Sequence, residues 1–327
     1  MNSPQIIFDN PTCIYSPGSQ ICGYVQFNTS KRQQFDAVII EFYGEAKTNF
    51  TTTEQRTFIN SGTYQTKLHS VEVEIPCEGR IVYWNKSLVL WSSAECLSFF
   101  TDGLHQLPFA IQIPNECAPS FEGVYGSIRY HCKVKFDVAS WFDKGTEAQI
   151  TVVRPVNLSV IPLINLPVQS EISHEVSQSC HCCSNEINSI RLKTFLHKRG
   201  YNPGELIEVT VEVMNSTNKV LKKLLLKIVQ ITMYIGYSGN SDNEQCTVDE
   251  HTVTSAENVV HIGAKSLSVI RQRITVPKVP GSFSECRLIQ LKYALRVKIT
   301  ARKSERYSVG TNIPITIGTI PAIPTTG

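Results

Sequence analysis

Apolar and polar residues alternate along much of the chain. The alternation is clearest in the segments Ala37–Tyr43, Leu68–Ile75 and Gln149–Val153. Alternation at every second position places successive side chains on opposite faces of an extended chain, so these segments are predicted to be half-buried β-strands. Helical periodicity is scarce, and Gly, Pro and Asn punctuate the strands at short intervals. Many short strands separated by turn residues are typical of antiparallel β-sandwiches, so an all-β fold is predicted.

Three sequence patterns occur twice, in the same order. The first, Tyr-x-Pro-Gly-x-x-Ile-x-x-x-Val, begins at Tyr15 and again at Tyr201, an offset of 186 residues (201 minus 15). The second places Ser-Phe and a strand after Ile113-Pro and after Val276-Pro, an offset of 163 (276 minus 113). The third, Pro followed by six residues and a second Pro, spans 155–162 and 314–321, an offset of 159 (314 minus 155). We therefore predict two tandem copies of one sandwich domain, the second of them shorter.

The repeats define the predicted domain boundaries. Residues 1–160 form the N-terminal domain, 161–186 a connector, 187–321 the C-terminal domain and 322–327 a short tail. The stretch between the copies, Leu163–Ser189, is polar, weakly periodic and rich in Ser, which is typical of a connector or a mobile loop. A chain of 327 residues accommodates two domains of roughly 150 residues, each with its own core.

Composition places the protein among globular, cytoplasmic proteins. Hydrophobic residues make up 42% and charged residues 18%, which is ordinary for a folded domain. No apolar run reaches the roughly 18 residues of a membrane span, and the N-terminus does not resemble a secretory signal. The five Asn-x-Ser/Thr sequons are then chance matches, and most of the 11 cysteines are expected to be free thiols or small core residues.

Charge is unevenly distributed between the two halves. Residues 1–155 carry 12 Lys and Arg against 15 Asp and Glu, a balance of −3, whereas residues 156–327 carry the remaining 19 against 13, a balance of +6. A formal net charge of only +3 argues against a nucleic-acid partner. A mildly basic second half favours acidic partners or an anionic membrane surface, although a solvated protein face explains the charge about as well.

Several motifs make the chain similar to the alpha-arrestins, the arrestin-domain-containing proteins, from about Phe8 to Pro321. The residues that carry this resemblance are Gly103-Leu-His105-Gln-Leu-Pro108-Phe109, Ile113-Pro114, Ser120-Phe-Glu-Gly123, Gly126-Ser-Ile-Arg-Tyr130, Gly200-Tyr-Asn-Pro-Gly-Glu205, Asn215-Ser216 and Pro314-Ile-Thr-Ile-Gly-Thr319. The resemblance implies two tandem arrestin-like (immunoglobulin-like) antiparallel β-sandwich domains. It also implies a cytoplasmic adaptor, peripherally associated with the plasma membrane or endosomes, that binds membrane receptors or transporters through their cytoplasmic tails.

The same resemblance brings ubiquitin ligases into the set of partners. Family members recruit them through Pro-Pro-x-Tyr motifs that follow the second domain, and this chain contains no Pro-Pro dipeptide. Recruitment through that motif is therefore not predicted. The first strand reads Ile6-Ile-Phe8-Asp9, without the paired lysines of visual-type arrestins, so phosphate-triggered activation of their kind is not predicted either.

Two kinds of chemistry are considered and set aside. The run Cys180-His181-Cys182-Cys183 contains four soft ligands, but adjacent residues cannot all reach one tetrahedral ion, so no metal site is predicted. A mobile loop with free thiols is favoured there, with reversible palmitoylation as an alternative. No Gly-x-Ser-x-Gly elbow and no phosphate-binding glycine loop occurs, so neither an enzyme nor a cofactor is predicted.

Spaced basic residues are the candidate binding groups. If the odd-numbered residues from Leu291 to Ile299 face the core, the even-numbered cations lie on the open face of that strand. The strand Ile128–Phe136 and the segment Lys219–Lys227 present similar rows. The candidate binding residues are Lys223, Lys227, Lys292, Arg296, Lys298, Arg129 and Lys133. Such rows suit an acidic or phosphorylated peptide or an anionic lipid head group, and the row of the second domain is the preferred hypothesis.

The sequence therefore predicts a cytoplasmic adaptor or scaffold that binds membrane cargo proteins. It would promote their endocytosis, sorting or ubiquitin-linked trafficking. The alternative is a thiol-dependent partner of a soluble redox protein such as thioredoxin, as in one branch of the family. Cys246, expected in an exposed polar loop, is the cysteine nominated for that role.

Overall fold

The structure, a computed structural model, describes residues 3–32, 34–62, 65–94, 99–137, 145–176, 188–239, 243–301 and 304–319. These residues form eighteen β-strands and one 3₁₀-helix, Leu158–Val160. The strands are β1 Gln5–Phe8, β2 Ile14–Tyr15, β3 Gln20–Thr29, β4 Ala37–Gly62, β5 Gln65–Ser92, β6 Gly103–Gln112, β7 Phe121–Gly123, β8 Gly126–Asp137, β9 Thr146–Val152, β10 Val168–Glu175, β11 Ser189–Leu196, β12 Gly200–Tyr201, β13 Leu206–Asn215, β14 Leu221–Ser238, β15 Glu244–Ile262, β16 Ser266–Thr275, β17 Ile289–Ala301 and β18 Ser304–Ile317. The all-β prediction is confirmed.

The chain divides into two compact units, and the first is not continuous in sequence. It comprises Met1–Arg154 together with Met233–Thr247 and Glu285–Ile289. The later segments are held by backbone and side-chain bonds. Ile235 donates its N–H to the carbonyl of Leu288 at 2.8 Å and accepts at 2.6 Å from the hydroxyl of Thr48. The last residues of β14 also pair with β5.

The first unit is a sandwich of two sheets. One sheet has the strand order β1-β3-β6, and the other contains β5-β4-β8-β9-β2 with β7 beside β8. Aromatic side chains from the two sheets meet between them. Phe27 of β3 lies 5.0 Å, between ring centroids, from Phe136 of β8, and Phe42 of β4 lies 5.7 Å from Phe109 of β6. Edge-to-face contacts of this kind add to the stability that burial provides.

The second unit comprises Pro155–Thr232, Val248–Ser284 and Gln290–Gly327. One of its sheets has the order β10-β11-β13-β16, and the other contains β12-β18-β17-β14 with β15 beside β14. Buried aliphatic residues from both sheets, among them Leu192, Val211, Leu226 and Leu295, form the core. Strand β10 lies inside the predicted connector 161–186, so part of that segment is a sheet strand. The domain boundaries inferred from the repeats stay a prediction.

The repeated Pro-Gly pattern has the same backbone geometry in both units. Gly18 and Gly204 have φ values of +79° and +89°, in the left-handed region that suits glycine. Gly18 donates its N–H to the carbonyl of Ile113 at 3.0 Å, and Gly204 donates to Val276 at 2.9 Å. The acceptors are the first residues of the second repeated pattern. The first two repeats are therefore joined by equivalent bonds in each copy.

The repeated serine also makes equivalent bonds in the two copies. Ser120 donates its N–H to the carbonyl of Val152 at 2.7 Å and accepts from the N–H of Val152 through its hydroxyl at 2.9 Å. Ser282 makes the same two bonds with Ile317, both at 2.9 Å. A reciprocal pair of this kind fixes the register of a loop against a strand. The duplication predicted from sequence is confirmed at the level of individual bonds.

A buried tyrosine completes the equivalence. Tyr130 donates its hydroxyl to the carbonyl of Ala118 at 2.8 Å, and Tyr293 donates to the carbonyl of Pro280 at the same distance. Both rings are almost fully buried. A buried backbone carbonyl needs a donor, and in each copy the tyrosine hydroxyl provides it.

Candidate functional site

Strand β17 presents the predicted row of cations on the outer face of the second unit. Its odd-numbered residues from Leu291 to Ile299 are buried, as the alternation predicted, while Lys292 is exposed and Arg296 and Lys298 are half-buried. Ala294 interrupts the row of cations: it is even-numbered, like them, but it has no charge and is only 4% exposed. The outer face therefore carries cations on either side of a covered alanine.

Arg296 is held in place by two neighbours. Its Nε donates to Oδ1 of Asn312 at 2.8 Å, and its Nη2 lies 3.0 Å from Oε2 of Glu250. Asn312 is directly opposite Arg296 on β18, whereas Glu250 comes from β15. A guanidinium with two fixed partners has little freedom to reorganise around a ligand. Arg296 is therefore a positioned part of this face, and its charge is partly compensated.

Two lysines of β14 lie on the same face. Residues Leu224, Leu226 and Ile228 are buried, so Lys223 and Lys227 point the other way. Lys223 Nζ lies 2.6 Å from Oε2 of Glu257. Strand β14 is next to β17 in the sheet, so five of the predicted residues are brought onto one surface. We call this surface, formed by Lys223, Lys227, Lys292, Arg296 and Lys298, the basic face.

The first unit presents a different electrostatic picture. Arg129, on β8, makes two bonds to Glu122 on β7, Nε to Oε1 and Nη2 to Oε2, both at 2.7 Å. The hydrogen bonds and charge of Glu122 raise the pKa of Arg129. Lys133 is aligned with Glu41 on β4 and with Glu147 on β9. Acidic residues thus alternate with the cations around β8, so Arg129 and Lys133 present much less net charge than the basic face.

A carboxylate with a strongly shifted pKa lies in the same unit. Partial burial opposes ionisation of Glu45, but hydrogen bonds from Lys47, Arg80 and Tyr43 outweigh it and lower the pKa of Glu45 to about 2. Arg80 Nε donates to Glu45 Oε2 at 2.8 Å, and the Tyr43 hydroxyl donates to the same oxygen at 2.7 Å. Glu45 is therefore an ionised structural group, and its hydrogen bonds are already satisfied by the protein.

Sequence reasoning missed a second basic surface in the second unit. Arg271 and Arg273, on β16, line a groove of about 820 Å³ together with Phe195, His197 and Glu208. The alternation Arg271-Gln-Arg273 was the available signal, since it places both guanidinium groups on one face of an exposed strand.

Neither an exposed loop cysteine nor a metal centre is present in the part of the chain that the structure describes. Cys246 is exposed, as predicted, but it lies within strand β15, so the prediction of a loop is wrong. Among the described residues, no cluster of three or more His, Cys, Asp or Glu is arranged to hold a metal ion. The run Cys180–Cys183 lies outside the described residues.

The family models and relatives agree with this architecture. Residues 4–159 match the arrestin (or S-antigen) N-terminal domain, and residues 187–322 match the arrestin (or S-antigen) C-terminal domain. Arrestin domain-containing protein 17 of Caenorhabditis elegans is 25% identical over 98% of this chain and 71% of its own length. Arrestin domain-containing protein 4 of Mus musculus is 26% identical over 94% of this chain and 69% of its own length. The chain belongs to the alpha-arrestin family. Within its described part, no helix has the length and apolar character needed to cross a bilayer.

Proposed function

We propose that the protein is a non-enzymatic cytoplasmic adaptor that works at the plasma membrane or endosomes. It binds acidic or phosphorylated cytoplasmic segments of membrane receptors or transporters and promotes their endocytosis, sorting or ubiquitin-linked trafficking. The observation that supports this most directly is the basic face. Within the described residues, Lys227 and Lys292 form no ion pair, although both lie on a surface with three further cations.

The spacing of the cations and the carboxylates already paired with them determine which ligand the basic face can bind. Arg296 and Lys298 occupy alternate positions of β17 and are about 7 Å apart. Lys292 and Arg296, like Lys223 and Lys227, are four residues and about 13 Å apart, and both spacings match side chains on one face of an extended peptide. Hydrogen bonds from a lysine or arginine to a carboxylate or phosphate are stronger than those between neutral groups. A cation that has no carboxylate partner within the protein is most available for such a bond. Arg296 and Lys223 already pair with Glu250 and Glu257. We therefore expect Lys227 and Lys292 to contribute most to binding an anionic ligand. An anionic membrane surface would add to this attraction.

The test uses a reversal of charge with a matched control. We expect Lys227→Glu with Lys292→Glu to reduce the recovery of surface-biotinylated membrane proteins by the full-length protein by about tenfold. The control, Arg129→Glu with Lys133→Glu in the first unit, should leave recovery near the wild-type level. Equal recovery by the wild type and the charge-reversed variant, with unchanged thermal unfolding, would refute the assignment. Flotation with phosphatidylserine vesicles separates a lipid contribution from binding to protein.

The connection to a ubiquitin ligase is proposed as indirect. The sequence contains no Pro-Pro dipeptide, so a Pro-Pro-x-Tyr motif is absent from it. The arrangement to be tested is one in which a ligase joins through the cargo or through another adaptor. We expect ubiquitination of the captured cargo to be lost when the basic face is mutated. We also expect no direct binding of a ligase to the purified protein.

A second candidate function follows from the exposure of Cys246. A thiolate there could attack the disulfide of oxidised thioredoxin, forming a mixed disulfide and releasing one thioredoxin thiol. The adaptor proposal predicts that cargo recovery is unchanged by dithiothreitol and by Cys246→Ser. A thioredoxin adduct on non-reducing gels, lost in Cys246→Ser, would favour the second function.

A further inference from the structure

Strand β16 is an open edge of the four-stranded sheet β10-β11-β13-β16. It pairs with β13 over ten residues without a register shift, from Leu206↔Thr275 to Asn215↔Ser266. Among the residues that the structure describes, no strand pairs with its other side. Its sequence, SLSVIRQRIT, contains no proline, and proline is one of the usual devices that stop an edge from pairing with another chain.

The backbone hydrogen bonds establish which residues face the open edge. Val276 donates its N–H to the carbonyl of Glu205 and accepts from the N–H of Gly204, both at 2.9 Å. In an antiparallel ladder, bonded and non-bonded residues alternate, so the even-numbered residues of β16 are bonded to β13. The odd-numbered residues direct their N–H and C=O groups to the open edge. They are Leu267, Val269, Arg271, Arg273 and Thr275.

The side chains of these residues form an ordered exposed row. Leu267 and Val269 are 57% and 59% exposed at one end of the strand. Arg271 and Arg273 are exposed at the other end and line the groove described above. Arg271 forms no ion pair within the described residues, whereas Arg273 Nη2 lies 2.7 Å from Oε1 of Glu208. The row is therefore apolar at its start and cationic towards its end.

Charge favours one kind of occupant. From residue 258 to residue 284 the chain contains no Asp or Glu, so every charge on β16 itself is positive, whereas the neighbouring strand β13 exposes Glu208 and Glu212. The opposite edge of the same sheet, β10, exposes Glu171 and Glu175. An acidic strand is attracted to β16 and repelled by β10. The opposite charges of the two edges therefore favour the addition of an acidic strand to β16 over its addition to β10.

We propose that β16 is a docking edge for an extended acidic segment of a partner protein. The segment adds to the sheet as a fifth, antiparallel strand, since all neighbours in this sheet are antiparallel. Read from its N-terminus, it passes Arg273, Arg271, Val269 and Leu267 in turn. The matching pattern is acidic-x-acidic-x-apolar-x-apolar. Main-chain bonds supply affinity in such strand addition, and the alternate side chains supply specificity. This edge is separate from the basic face.

A synthetic peptide tests the main-chain part of the proposal. The probe is fluorescein-labelled Ser-Glu-Ser-Glu-Ser-Val-Ser-Val-Ser, measured by anisotropy with the full-length protein. In the proposed register, Glu and Val exchange backbone bonds with β16, and the intervening Ser residues direct their N–H groups away from it. N-methylation of both Glu and both Val should weaken binding at least about tenfold, because the N–H donors are lost. N-methylation of the three interior Ser residues should change it less than about twofold. Equal effects of the two patterns would overturn the proposal.

Protein variants test the side-chain part. Arg271→Glu with Arg273→Glu should weaken binding of the unmodified peptide at least about tenfold. Lys31→Glu with Lys86→Glu, at two exposed cations of the first unit outside both basic surfaces, should leave it within about twofold. Glu208→Gln should tighten it about threefold, because Arg273 loses its internal partner. Tight binding by the Arg271→Glu, Arg273→Glu variant would overturn the assignment of this edge. So would a wild-type dimer that this variant dissociates, because a second copy would then be the occupant.

Discussion

Replacing Tyr293 by Phe removes a single oxygen from the core of the second unit. The hydroxyl donates to the carbonyl of Pro280 at 2.8 Å and lies 3.1 Å from Oε1 of Gln230. Tyr293 is 1% exposed, and Gln230 is 8% exposed. Phe fills nearly the same volume, so the loss isolates the cost of removing the one proton that these two acceptors share. A buried polar group left unsatisfied costs about 1–3 kcal/mol, so we expect a loss of about 3 kcal/mol.

The equivalent residue of the first unit provides the matched control. Tyr130 donates to the carbonyl of Ala118 at 2.8 Å, and its second neighbour is the thiol of Cys117, a much weaker hydrogen-bonding group. Tyr130→Phe therefore leaves one strong acceptor unsatisfied and should cost about 1.5 kcal/mol. Because Gln230 accounts for the difference, combining Gln230→Met with Tyr293→Phe should recover about 1 kcal/mol of the loss.

The assay must separate the two units, since one unfolding midpoint does not describe two domains. Hydrogen exchange read by mass spectrometry along a urea series reports peptides from β8 and β17 independently. We expect Tyr293→Phe to lower the midpoint for β17 by about 1 M urea and that for β8 much less. A loss for Tyr293→Phe no larger than that for Tyr130→Phe would refute the assignment of Gln230 as a second acceptor.

Three further predictions concern backbone strain, pH and packing. Gly204→Ala should destabilise the second unit by about 1 kcal/mol in urea unfolding, because Gly204 has a φ of +89° that alanine adopts only with strain. The added Cβ would meet no atom within 4 Å, so steric overlap does not contribute. Gly239→Ala is the control: its Cβ is also in open space but its φ is not positive, so its stability should not change. Glu45→Gln should lower the free energy of unfolding by about 1 kcal/mol at pH 7, after allowance for solvent screening, and should have no effect near pH 2. The reason is that a pKa lowered from 4.5 to about 2 stabilises the folded state fully above pH 4.5, and this contribution is lost as the pH falls through 2. A loss of stability that does not depend on pH would contradict this. Trp84→Ala should lower the free energy of unfolding by about 3–5 kcal/mol, measured by calorimetry or urea unfolding. Trp84 is 2% exposed and stacks on Phe42 with ring centroids 5.0 Å apart. A loss below about 1 kcal/mol would contradict this packing.

Alternation was sufficient to predict the faces of β8 and β17, because one side of each strand is buried and the other is not. The repeated patterns were also informative, since Gly18 and Gly204 occupy equivalent turns with equivalent bonds. Both signals are local and survive in the sequence because they concern neighbours along the chain. They were enough for the fold class and for the outward orientation of the basic side chains of β8 and β17.

Other features depend on contacts that the sequence does not display. Most residues of β10 are exposed, so the strand has no apolar alternation, and it is held by backbone bonds to β11. Cys246 was placed in a loop for the same reason, because β15 is partly exposed on both faces. The ion pair between Arg296 and Glu250 joins residues 46 positions apart. Which cations are already compensated could therefore be read only from the structure.

The discontinuous first unit has a consequence for how the protein is made. A ribosome releases the chain from the N-terminus, and domains commonly fold as they emerge. Here the partner of Ile235 in the backbone bond is Leu288, so the first unit cannot be completed until most of the second has been synthesised. During that interval, groups such as the Thr48 hydroxyl lack their native partner. The first unit therefore acquires its last backbone bonds only after residue 288 has left the ribosome.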